Sequence, residues 1–322
     1  MKIPAYPKFV PIDLSLRDEM YPRLNMAVDG VSEFSFANLW LFRRRYKYRV
    51  ARIKDTTLVI SGEHDGKTFF MTPCAVPDCD TLAQLFATHD YWKNLSDRLV
   101  EPVRICLEEH GYTAREDRDN FDYLYVREDL ACLSGKKYHK KRNLVNSFTS
   151  SYTTTMKRYT KARLDDAIKV LDTWRDEKGH EGDYIAAREA LENAEFLGLD
   201  GALWYVNGEA VAWCLGERMA RGRMYAIHFE KAIEGYKGIY QFVNQAWAAA
   251  LPNHIREINR EQDLGDEGLR QAKLTYRPSG FVRKYMVFPK GRDPGEDLCT
   301  SGELHWAEGI ACEDSSCDDK PQ

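Results

Sequence analysis

Apolar residues recur at helical and strand-like spacings in two successive stretches of the chain. In the first stretch, SFANLWLFRRRY (residues 35–46) has the apolar spacing of a helix, and residues 48–73 alternate as three short strands. Asp80 is expected to cap the helix that follows. We therefore predict one compact α/β unit over residues 1–133.

The second stretch, over residues 134–290, shows the same kind of pattern more clearly. Ser134 is expected to cap a basic helix, which a β-rich run and two amphipathic helices follow. Residues 200–232 are predicted to form three antiparallel strands, a helix then stops at Pro252, and IREINRE (residues 255–261) is a further strand. This order of elements is typical of an acyltransferase-type α/β domain.

Composition is that of a folded protein. The 322 residues are 43% hydrophobic and 30% charged, which is enough apolar material for two domains of ordinary size. The N-terminal residues lack the apolar stretch and cleavage site of a signal peptide, and no apolar run is long enough to cross a bilayer. These features predict a cytoplasmic protein whose contact with membranes is at most peripheral.

The net charge of −4 conceals two regions of opposite sign. Residues 130–164 carry nine Lys or Arg and no acid, whereas the residues from Asp293 onward carry nine acids and one lysine. The basic segment can bind a polyanion or form a solvated face, and its composition leaves both open. Residues 291–322 are predicted to form an acidic, flexible tail.

The eight cysteines are scattered singly, a distribution typical of free thiols in a reducing compartment. Two pairs, Cys74 with Cys79 and Cys312 with Cys317, have C-x4-C spacing. This spacing is looser than the usual C-x2-C of zinc sites, and no histidine is close by in the sequence. We therefore expect no metal site and no disulfide framework.

Three motifs carry a resemblance to a known family, namely SGKKYHKKRNLVNSF, YAIHFEKA and NREQDLGDEGLRQAKLTYRP. They closely resemble an uncharacterised bacterial family, of the DUF2156 type, whose domain is similar to the C-terminal catalytic domain of phosphatidylglycerol lysyltransferases. That group is related to the Fem peptidyltransferases. The resemblance extends to about Pro289 and implies an α/β chain of two tandem GNAT-like (acyl-CoA N-acyltransferase) folds, each a mixed, mostly antiparallel sheet flanked by helices.

The resemblance also implies an acyl- or aminoacyltransferase. Fem-type enzymes use a soluble aminoacyl-tRNA as donor, so the expected reaction moves an aminoacyl group to an amine or hydroxyl on a small molecule, peptide or lipid head group, with no metal or redox cofactor. A non-catalytic ligand-binding module and a CoA-dependent N-acetyltransferase stay open as alternatives. The phosphate-loop, HExxH and GxSxG motifs are absent from the sequence, which argues against nucleotide hydrolysis, zinc proteolysis and serine-hydrolase chemistry.

The basic helix is the first candidate binding site. Polar residues three and four positions apart share one face of it, while apolar residues supply the opposite face for packing. Lysines near its start add to the positive end of the helix dipole, which suits the segment to phosphates of tRNA, CoA or a lipid head group. The candidate residues are Lys137, His139, Lys140, Lys141, Arg142 and Asn143.

The loop EGYKGIY (residues 234–240) is the second candidate site. In acetyltransferase folds the equivalent loop turns its backbone N–H groups toward a pyrophosphate, which makes Tyr236, Lys237 and Gly238 candidate binding residues. The loop keeps only part of the acetyltransferase glycine pattern, and this favours an aminoacyl-tRNA donor over acetyl-CoA. An ordinary loop entering a helix is the alternative.

Acidic residues near two strand ends are the catalytic candidates. Alternation along MYAIHFE places Tyr225, Ile227 and Phe229 on one side and His228 with Glu230 on the other. A carboxylate at the end of this strand can deprotonate an attacking amine, bind the ammonium of a substrate or form a salt bridge. The catalytic candidates are Glu230, Glu261 and Asp263.

The polar run after IREINRE supplies the remaining candidates. If this strand lies beside MYAIHFE, the run emerges at the edge where open α/β sheets place ligands. Alternation would send Asn259, Glu261 and Asp263 to one face, and two later glycines would turn the chain back toward them. A network that only braces the loop is the alternative. The binding candidates here are Asn259, Arg260, Gln262, Arg270 and Lys273.

Overall fold

The computed structural model describes residues 2–54 and 57–294. The acidic tail predicted for residues 291–322 therefore lies, from residue 295 onward, outside the described residues. Within the described ranges the chain forms fourteen β-strands and eleven α-helices, joined by turns and short 3-10 segments. None of the described helices combines the length and the apolar composition needed to span a lipid bilayer.

The strands and helices are numbered in chain order. The strands are β1 (Val10–Pro11), β2 (Arg49–Ile53), β3 (Thr57–His64), β4 (Lys67–Met71), β5 (Tyr91–Ser96), β6 (Tyr112–Glu116), β7 (Asp122–Val126), β8 (Thr154–Arg158), β9 (Asp200–Val206), β10 (Glu209–Met219), β11 (Met224–Ala232), β12 (Glu257–Asn259), β13 (Gly280–Val282) and β14 (Lys284–Pro289). The helices are α1 (Arg17–Leu24), α2 (Phe36–Leu41), α3 (Cys79–Phe86), α4 (Asp97–Val100), α5 (Arg104–Glu109), α6 (Arg127–Cys132), α7 (His139–Ser151), α8 (Leu164–Lys178), α9 (Tyr184–Leu197), α10 (Ile239–Ala250) and α11 (Glu267–Leu274).

Two of the predicted helix caps are wrong. Asp78, not Asp80, caps α3, because the Asp78 carboxylate accepts a hydrogen bond from the Thr81 backbone N–H at 2.9 Å. Ser134 does not cap the basic helix. A 3-10 turn, Lys136–Tyr138, precedes α7, so the residue at the N-cap position of α7 is Tyr138.

The structure confirms the predicted mixed α/β architecture with mostly antiparallel sheets. The first sheet has the strand order β1-β2-β3-β4-β5-β14-β6, and the second has the order β13-β7-β12-β11-β10-β9-β8. Only the β4–β5 and β11–β12 pairs are parallel among the described strands. The predicted meander β9–β11, the helix after it and the pairing of β12 beside β11 are all present.

The two sheets exchange strands, so they do not follow the predicted division at Leu133. Strand β7 comes before Leu133 in the chain, but it pairs with β12 and β13 of the second sheet. Strand β14 comes after the second sheet, but it lies between β5 and β6 of the first. A boundary drawn along the sequence cannot capture this, because it assigns each strand to the sheet nearest in sequence.

One apolar cluster joins the two sheets. It contains Phe69 and Met286 of the first sheet, Trp213 of the second, and Trp174 and Leu191 of the helices α8 and α9 between them. A second cluster lies on the opposite face of the second sheet under α6, α7 and α10. The shared core fixes the sheets against each other and so fixes the space at their junction.

A buried ion cluster holds the exchanged strands together. The ammonium of Lys284, the first residue of β14, lies 2.5 Å from Glu33 Oε2 and 2.8 Å from Asp122 Oδ1 at the start of β7, and its side chain is 0% exposed. Burial by itself would lower the pKa of Lys284, but the two carboxylates outweigh burial and raise the pKa. Asp122 also accepts from the N–H and Oγ of Ser32 at 2.9 Å each.

Replacing Lys284 by Met should destabilise the protein strongly. Glu33 and Asp122 would be left as buried carboxylates without their ammonium, which typically lowers the free energy of unfolding by about 3–5 kcal/mol. Urea unfolding measures this change. Lys290→Met removes an exposed lysine just after the same strand and should change stability by less than about 0.5 kcal/mol. Equal effects of the two substitutions would contradict the assignment.

Candidate functional site

The candidate site begins where two parallel strands separate. Strands β11 and β12 pair at only three positions, the last of them Ala226 with Asn259. Strand β12 ends at Asn259, while β11 continues to Ala232. Beyond the last pair the backbones of the two segments are no longer paired in the sheet, so the side chains of both can face the gap.

This gap forms part of a cavity of about 170 Å³ at the junction of the two sheets. Its walls come from both halves of the chain, as is common for ligand sites between domains. The second half contributes Asp183, residues 227–231, residues 260–262, Leu264, Leu269 and Lys273, and the first half contributes Glu33, Asn38, Phe42, Tyr46, Tyr48, Lys93, Asn94 and Asn120.

A β-bulge at His228 determines which side chains point into the cavity. Leu215 pairs with Phe229 and Gly216 pairs with Ile227, so His228 has no residue opposite it on β10. The extra residue reverses the alternation after this point, and Phe229 packs in the core shared by both sheets while Ile227 packs on the opposite face. The prediction that Phe229 shares a side with Tyr225 and Ile227 is therefore wrong.

His228 is held between two carboxylates. Its Nδ1 lies 2.7 Å from Glu261 Oε1 and its Nε2 lies 3.0 Å from Glu217 Oε1, and its side chain is 1% exposed. Burial favours the neutral ring, but Glu261 and Glu217 outweigh this effect and raise the pKa of His228 to about 10. At neutral pH both ring nitrogens carry protons and donate to these acids.

Beside this group lies a second buried ion pair with unused hydrogen-bonding capacity. Arg260 Nη2 lies 3.3 Å from Glu230 Oε1, with side chains only 6% and 8% exposed. Glu230 Oε2 and Arg260 Nη1 are buried and have no hydrogen-bond partner among the described residues, and the same is true of Asn94 Oδ1. Burial raises the pKa of Glu230, and Arg260 opposes this only in part. Because buried polar atoms are normally paired, three unpaired ones on one cavity indicate a ligand site.

The first half of the chain adds a buried cation to the same cavity. Lys93 is 9% exposed, and its Nζ lies 5.7 Å from the ring centre of Tyr46 and 5.5 Å from that of Phe69. The described residues place no carboxylate within salt-bridge distance of it. Its neighbour Asn94 adopts a left-handed backbone with φ of 62°, which gives the strand β5 an irregular turn at the cavity wall.

Comparison with known proteins supports the predicted relationship. Residues 26–288 match the family described as phosphatidylglycerol lysyltransferase, C-terminal. The chain belongs to this family. The match covers nearly all the described residues, both sheets included, so membership does not rest on one motif.

Solved structures similar to this lysyltransferase-family chain share its fold. A conserved protein of unknown function from Bacteroides thetaiotaomicron VPI-5482 is 31% identical, with a TM-score of 0.79 over 88% of this chain and 99% of that chain. L-PGS from Bacillus licheniformis is 14% identical, with a TM-score of 0.58 over 92% and 97%. FemX is 8% identical, with a TM-score of 0.51 over 87% and 96%. The predicted fold of two mixed, mostly antiparallel sheets flanked by helices, shared with a Fem-type protein, is confirmed.

A curated sequence is similar over a shorter stretch. An uncharacterised protein of Mycoplasmoides gallisepticum (strain R(low / passage 15 / clone 2)) is 26% identical over 176 residues. The match covers 52% of this chain and 55% of that protein, so the lysyltransferase-family chain spans about half the length of this relative.

The three catalytic candidates have different surroundings. Glu230 and Glu261 line the cavity, where Glu261 holds His228 and also accepts from Asn38 Nδ2 at 3.3 Å. Asp263 does not line it. Its carboxylate is 0% exposed and accepts from Arg270, Arg118, the Tyr123 hydroxyl and the Gly265 N–H. Burial would raise the pKa of Asp263, but these hydrogen bonds lower it, so Asp263 braces the loop as a carboxylate.

The binding candidates of the same loop divide in a similar way. Arg260, Gln262 and Lys273 line the cavity, but Lys273 Nζ donates to the backbone carbonyls of residues 260–262 and so holds the loop in shape. Burial lowers the pKa of Lys273 to about 7. Asn259 binds the Gly30 carbonyl, and Arg270 binds Asp263 and Asp119.

The predicted alternation after Asn259 also fails. Strand β12 ends there, and Glu261 takes a left-handed backbone with φ of 56°. Gln262 therefore points back toward Ser32, whose Oγ accepts from Gln262 Nε2 at 3.1 Å. The turn brings Glu261 to the cavity while Asn259 and Gln262 both reach the segment around residues 30–32.

The basic helix lines a separate, open groove of about 810 Å³. Lys141 is buried, with Nζ 4.8 Å from the ring centre of Tyr276, and Arg142 donates to the backbone carbonyls of Leu133 and Gly135. Asn143 is exposed but does not line the groove. The groove residues are Lys136, Lys137, His139, Lys140, Lys141, Thr275 and Arg277.

The ring of Tyr276 contacts one residue of the groove and one residue of the cavity. Tyr276 is buried, and in the sequence it lies between the groove residues Thr275 and Arg277. Its ring centre lies 5.3 Å from Arg260 Cζ. The same ring contacts Lys141 from the basic helix. One residue of the groove, Lys141, and one residue of the cavity, Arg260, therefore both lie close to the ring of Tyr276.

The loop Tyr236–Gly238 lines neither of these two sites. Gly238 has φ of 83°, and a Cβ added to it would lie 2.3 Å from the Leu144 carbonyl oxygen. Position 238 therefore requires glycine because α7 and α10 approach each other too closely there for a side chain. Tyr236 packs against Tyr152 with ring centres 5.0 Å apart.

Sequence reasoning missed the contribution of the first half of the chain. Asn38, Lys93 and Asn94 line the cavity although they lie more than 130 residues before Glu230. An available signal was YWKNL, a lysine and an asparagine set directly between two aromatic residues and a leucine. The helix predicted from Asp80 obscured it, because that segment is the strand β5.

His228 should remain protonated well above neutral pH. Its pKa rises from 6.5 to about 10 on folding, so its contribution to stability is complete below about pH 6.5 and is lost as pH rises through about 10. NMR of protein labelled with 15N-histidine should show both ring nitrogens protonated at about pH 8. His228→Gln identifies the signal and should flatten the loss of stability near pH 10. A neutral His228 ring at about pH 8 would contradict the assignment.

Proposed function

We propose that the chain is an aminoacyltransferase that moves an aminoacyl group from aminoacyl-tRNA to an amine or hydroxyl acceptor. Family membership and the fold support transfer of an acyl group in general. The observation that carries the proposal is the set of three buried, unpaired polar atoms on one cavity, Glu230 Oε2, Asn94 Oδ1 and Arg260 Nη1, which find no partner among the described residues.

These three atoms match the polar groups of an aminoacyl ester. Glu230 Oε2 and Asn94 Oδ1 are acceptors and suit the ammonium of the aminoacyl group, which has only donors. Arg260 Nη1 is a charged donor and suits the ester carbonyl oxygen. A substrate with one ammonium and one carbonyl would therefore satisfy all three atoms at once.

The same contacts also explain how the aminoacyl group would be transferred to the acceptor. The oxygen or nitrogen of the acceptor attacks the ester carbonyl carbon, and the bond between that carbon and the ribose oxygen then breaks. The proton lost by the acceptor ends on the released ribose hydroxyl. Arg260 stabilises the negative charge that develops on the carbonyl oxygen, while Glu230 keeps the aminoacyl group in position.

The basic groove supports a polyanionic donor. Lys136, Lys140 and Arg277 form no ion pair with the described residues, whereas Lys137 pairs with Asp129 at 2.8 Å. A cationic groove binds phosphates chiefly through release of counterions. Because Lys141 of the groove and Arg260 of the cavity both lie near the ring of Tyr276, a nucleic acid bound in the groove could place its esterified end near Glu230 and Arg260.

A CoA donor has less support. The glycine at the expected pyrophosphate loop is used for packing of α7 on α10, because a Cβ at Gly238 would collide with the Leu144 carbonyl. The cavity and groove also contain no residue of the loop Tyr236–Gly238. The acceptor is proposed only by class, and a lipid head group, a peptide amine and a small-molecule hydroxyl all belong to it.

Glu230→Gln should reduce transfer, and because it leaves the buried Arg260 guanidinium without its carboxylate, circular dichroism checks that the variant is folded. The amide keeps the size of the side chain but loses the charge that attracts the ammonium, so we expect a rate about 100-fold lower. The assay uses radiolabelled aminoacyl-tRNAs, with hydroxylamine as a surrogate acceptor, and measures aminoacyl hydroxamate. Glu234→Gln, an exposed acid four residues away, is the matched control.

Two results would count against the enzyme proposal. If Glu230→Gln and Glu234→Gln have equal rates, Glu230 does not bind the transferred group. If wild type forms no hydroxamate with any aminoacyl-tRNA but binds one saturably, the chain is a binding module on the same scaffold.

Removing charge from the groove should weaken tRNA binding in a salt-dependent way. We expect Lys136→Ala/Lys140→Ala/Arg277→Ala to lower affinity and to reduce the slope of log K against log salt by about two to three. Filter binding over a salt series measures both. Lys157→Ala/Lys161→Ala/Arg221→Ala removes the same charge from exposed positions outside the groove and should leave the slope nearly unchanged. Equal losses in the two variants would exclude a specific groove.

A further inference from the structure

A cluster of thiol and imidazole groups lies on the first sheet, away from the cavity residues. Cys79, Cys106 and His110 are all exposed, and one ligand atom from each lies within 4.8 Å of the other two. Among the described residues this is the one such group of three. The spacing of Cys74 and Cys79 gave no reason to expect it, because the partners of Cys79 lie on another helix.

The local structure explains why these residues meet. Cys79 is the first residue of α3, and Cys106 and His110 are one helical turn apart at α5 and its C-terminal cap. Residues four positions apart on a helix share a face, so the second pair already points in one direction. Cys106 Sγ lies 3.6 Å from His110 Nδ1.

The two helices are fixed by apolar packing beneath the cluster. Leu82 and Leu85 of α3 and Leu107 of α5 belong to one buried cluster, and the ring of Phe86 stacks on Tyr112 at 4.7 Å. The three ligand groups therefore stand on a rigid base, while their exposure leaves them open to an ion from solvent. Such preorganisation is what a metal site needs from its scaffold.

The distances suit a tetrahedral ion. Zinc bond lengths of about 2.3 Å to sulfur and 2.0–2.1 Å to nitrogen place neighbouring ligand atoms about 3.5–3.8 Å apart. The separations here need to close by no more than about 1 Å, which rotation of exposed side chains can supply. His110 Nδ1 also lies 2.7 Å from the Cys106 carbonyl oxygen. Nδ1 is also the ring nitrogen that faces Cys106 Sγ, at 3.6 Å, so metal binding exchanges its contact with the carbonyl for a bond to the ion.

We propose that Cys79, Cys106 and His110 bind one thiophilic divalent cation, with zinc as the expected class. The ion links α3 to α5 at the edge of the first sheet, and its fourth position is open to water or to an outside ligand. Thiolate and imidazole donors select zinc over magnesium or calcium, which prefer oxygen. This site is separate from the proposed transfer chemistry and does not depend on it.

Cobalt binding tests the proposal directly. Full-length protein is reduced, freed of metal and titrated with Co²⁺, in a background where Cys299, Cys312 and Cys317, which lie outside the described residues, are replaced by serine. We expect one equivalent of Co²⁺ to give a thiolate charge-transfer band that one equivalent of Zn²⁺ removes. Zn²⁺ should also raise the melting temperature, and a chelator should reverse the rise.

Single substitutions locate the site. Cys79→Ser, Cys106→Ser and His110→Ala should each weaken binding by at least about tenfold. Cys132→Ser and His254→Ala change an exposed cysteine and an exposed histidine elsewhere and should bind as the parent does. Circular dichroism checks that each variant is folded.

Three outcomes would overturn the proposal. The parent could show no stoichiometric cobalt band, or the band could persist unchanged in Cys79→Ser and Cys106→Ser. Mass spectrometry of the protein as isolated could instead show Cys79 and Cys106 joined by a disulfide with no metal bound after reduction, which would make the pair a redox site.

Discussion

The buried ammonium of Lys284 is the interaction on which the rest of the structure depends. It joins strand β14 of the first sheet to Asp122 at the start of β7 in the second, and to Glu33 in the segment that links α1 and α2. Because isolated buried charges are costly, this arrangement is favourable only when all three segments are in place. The cluster thus couples the positions of the two sheets and preserves the cavity between them.

The cavity itself arises from two local departures from regular sheet structure. Strand β12 ends after three pairs with β11, and the bulge at His228 redirects the side chains that follow. Both departures leave polar groups in a place that water reaches poorly. His228, Glu261 and Lys273 satisfy one another or the backbone, whereas Glu230 and Arg260 each leave one buried polar atom without a partner among the described residues.

Sequence patterns predicted the second half of the chain well, because its elements are long and locally amphipathic. The meander and α10 follow from alternation and turn residues, and the assumption that β12 lies beside β11, which the structure bears out, placed Glu230 and the polar run after β12 in one candidate region. Patterns could not reveal the bulge at His228, the exchange of β7 and β14, or the burial of Lys141. Each of these depends on contacts between residues distant in sequence, for which local spacing carries no information.

The strand exchange also constrains how this protein can be made. Strand β14 lies between β5 and β6, so the first sheet is interrupted until residues 284–289 have left the ribosome. More than 150 residues are synthesised between β6 and β14, and during this time the facing edges of β5 and β6 have no strand between them. Exposed edges of this kind favour pairing with other chains. The facing edges of β5 and β6 in the nascent chain therefore stay unpaired until translation has passed β14.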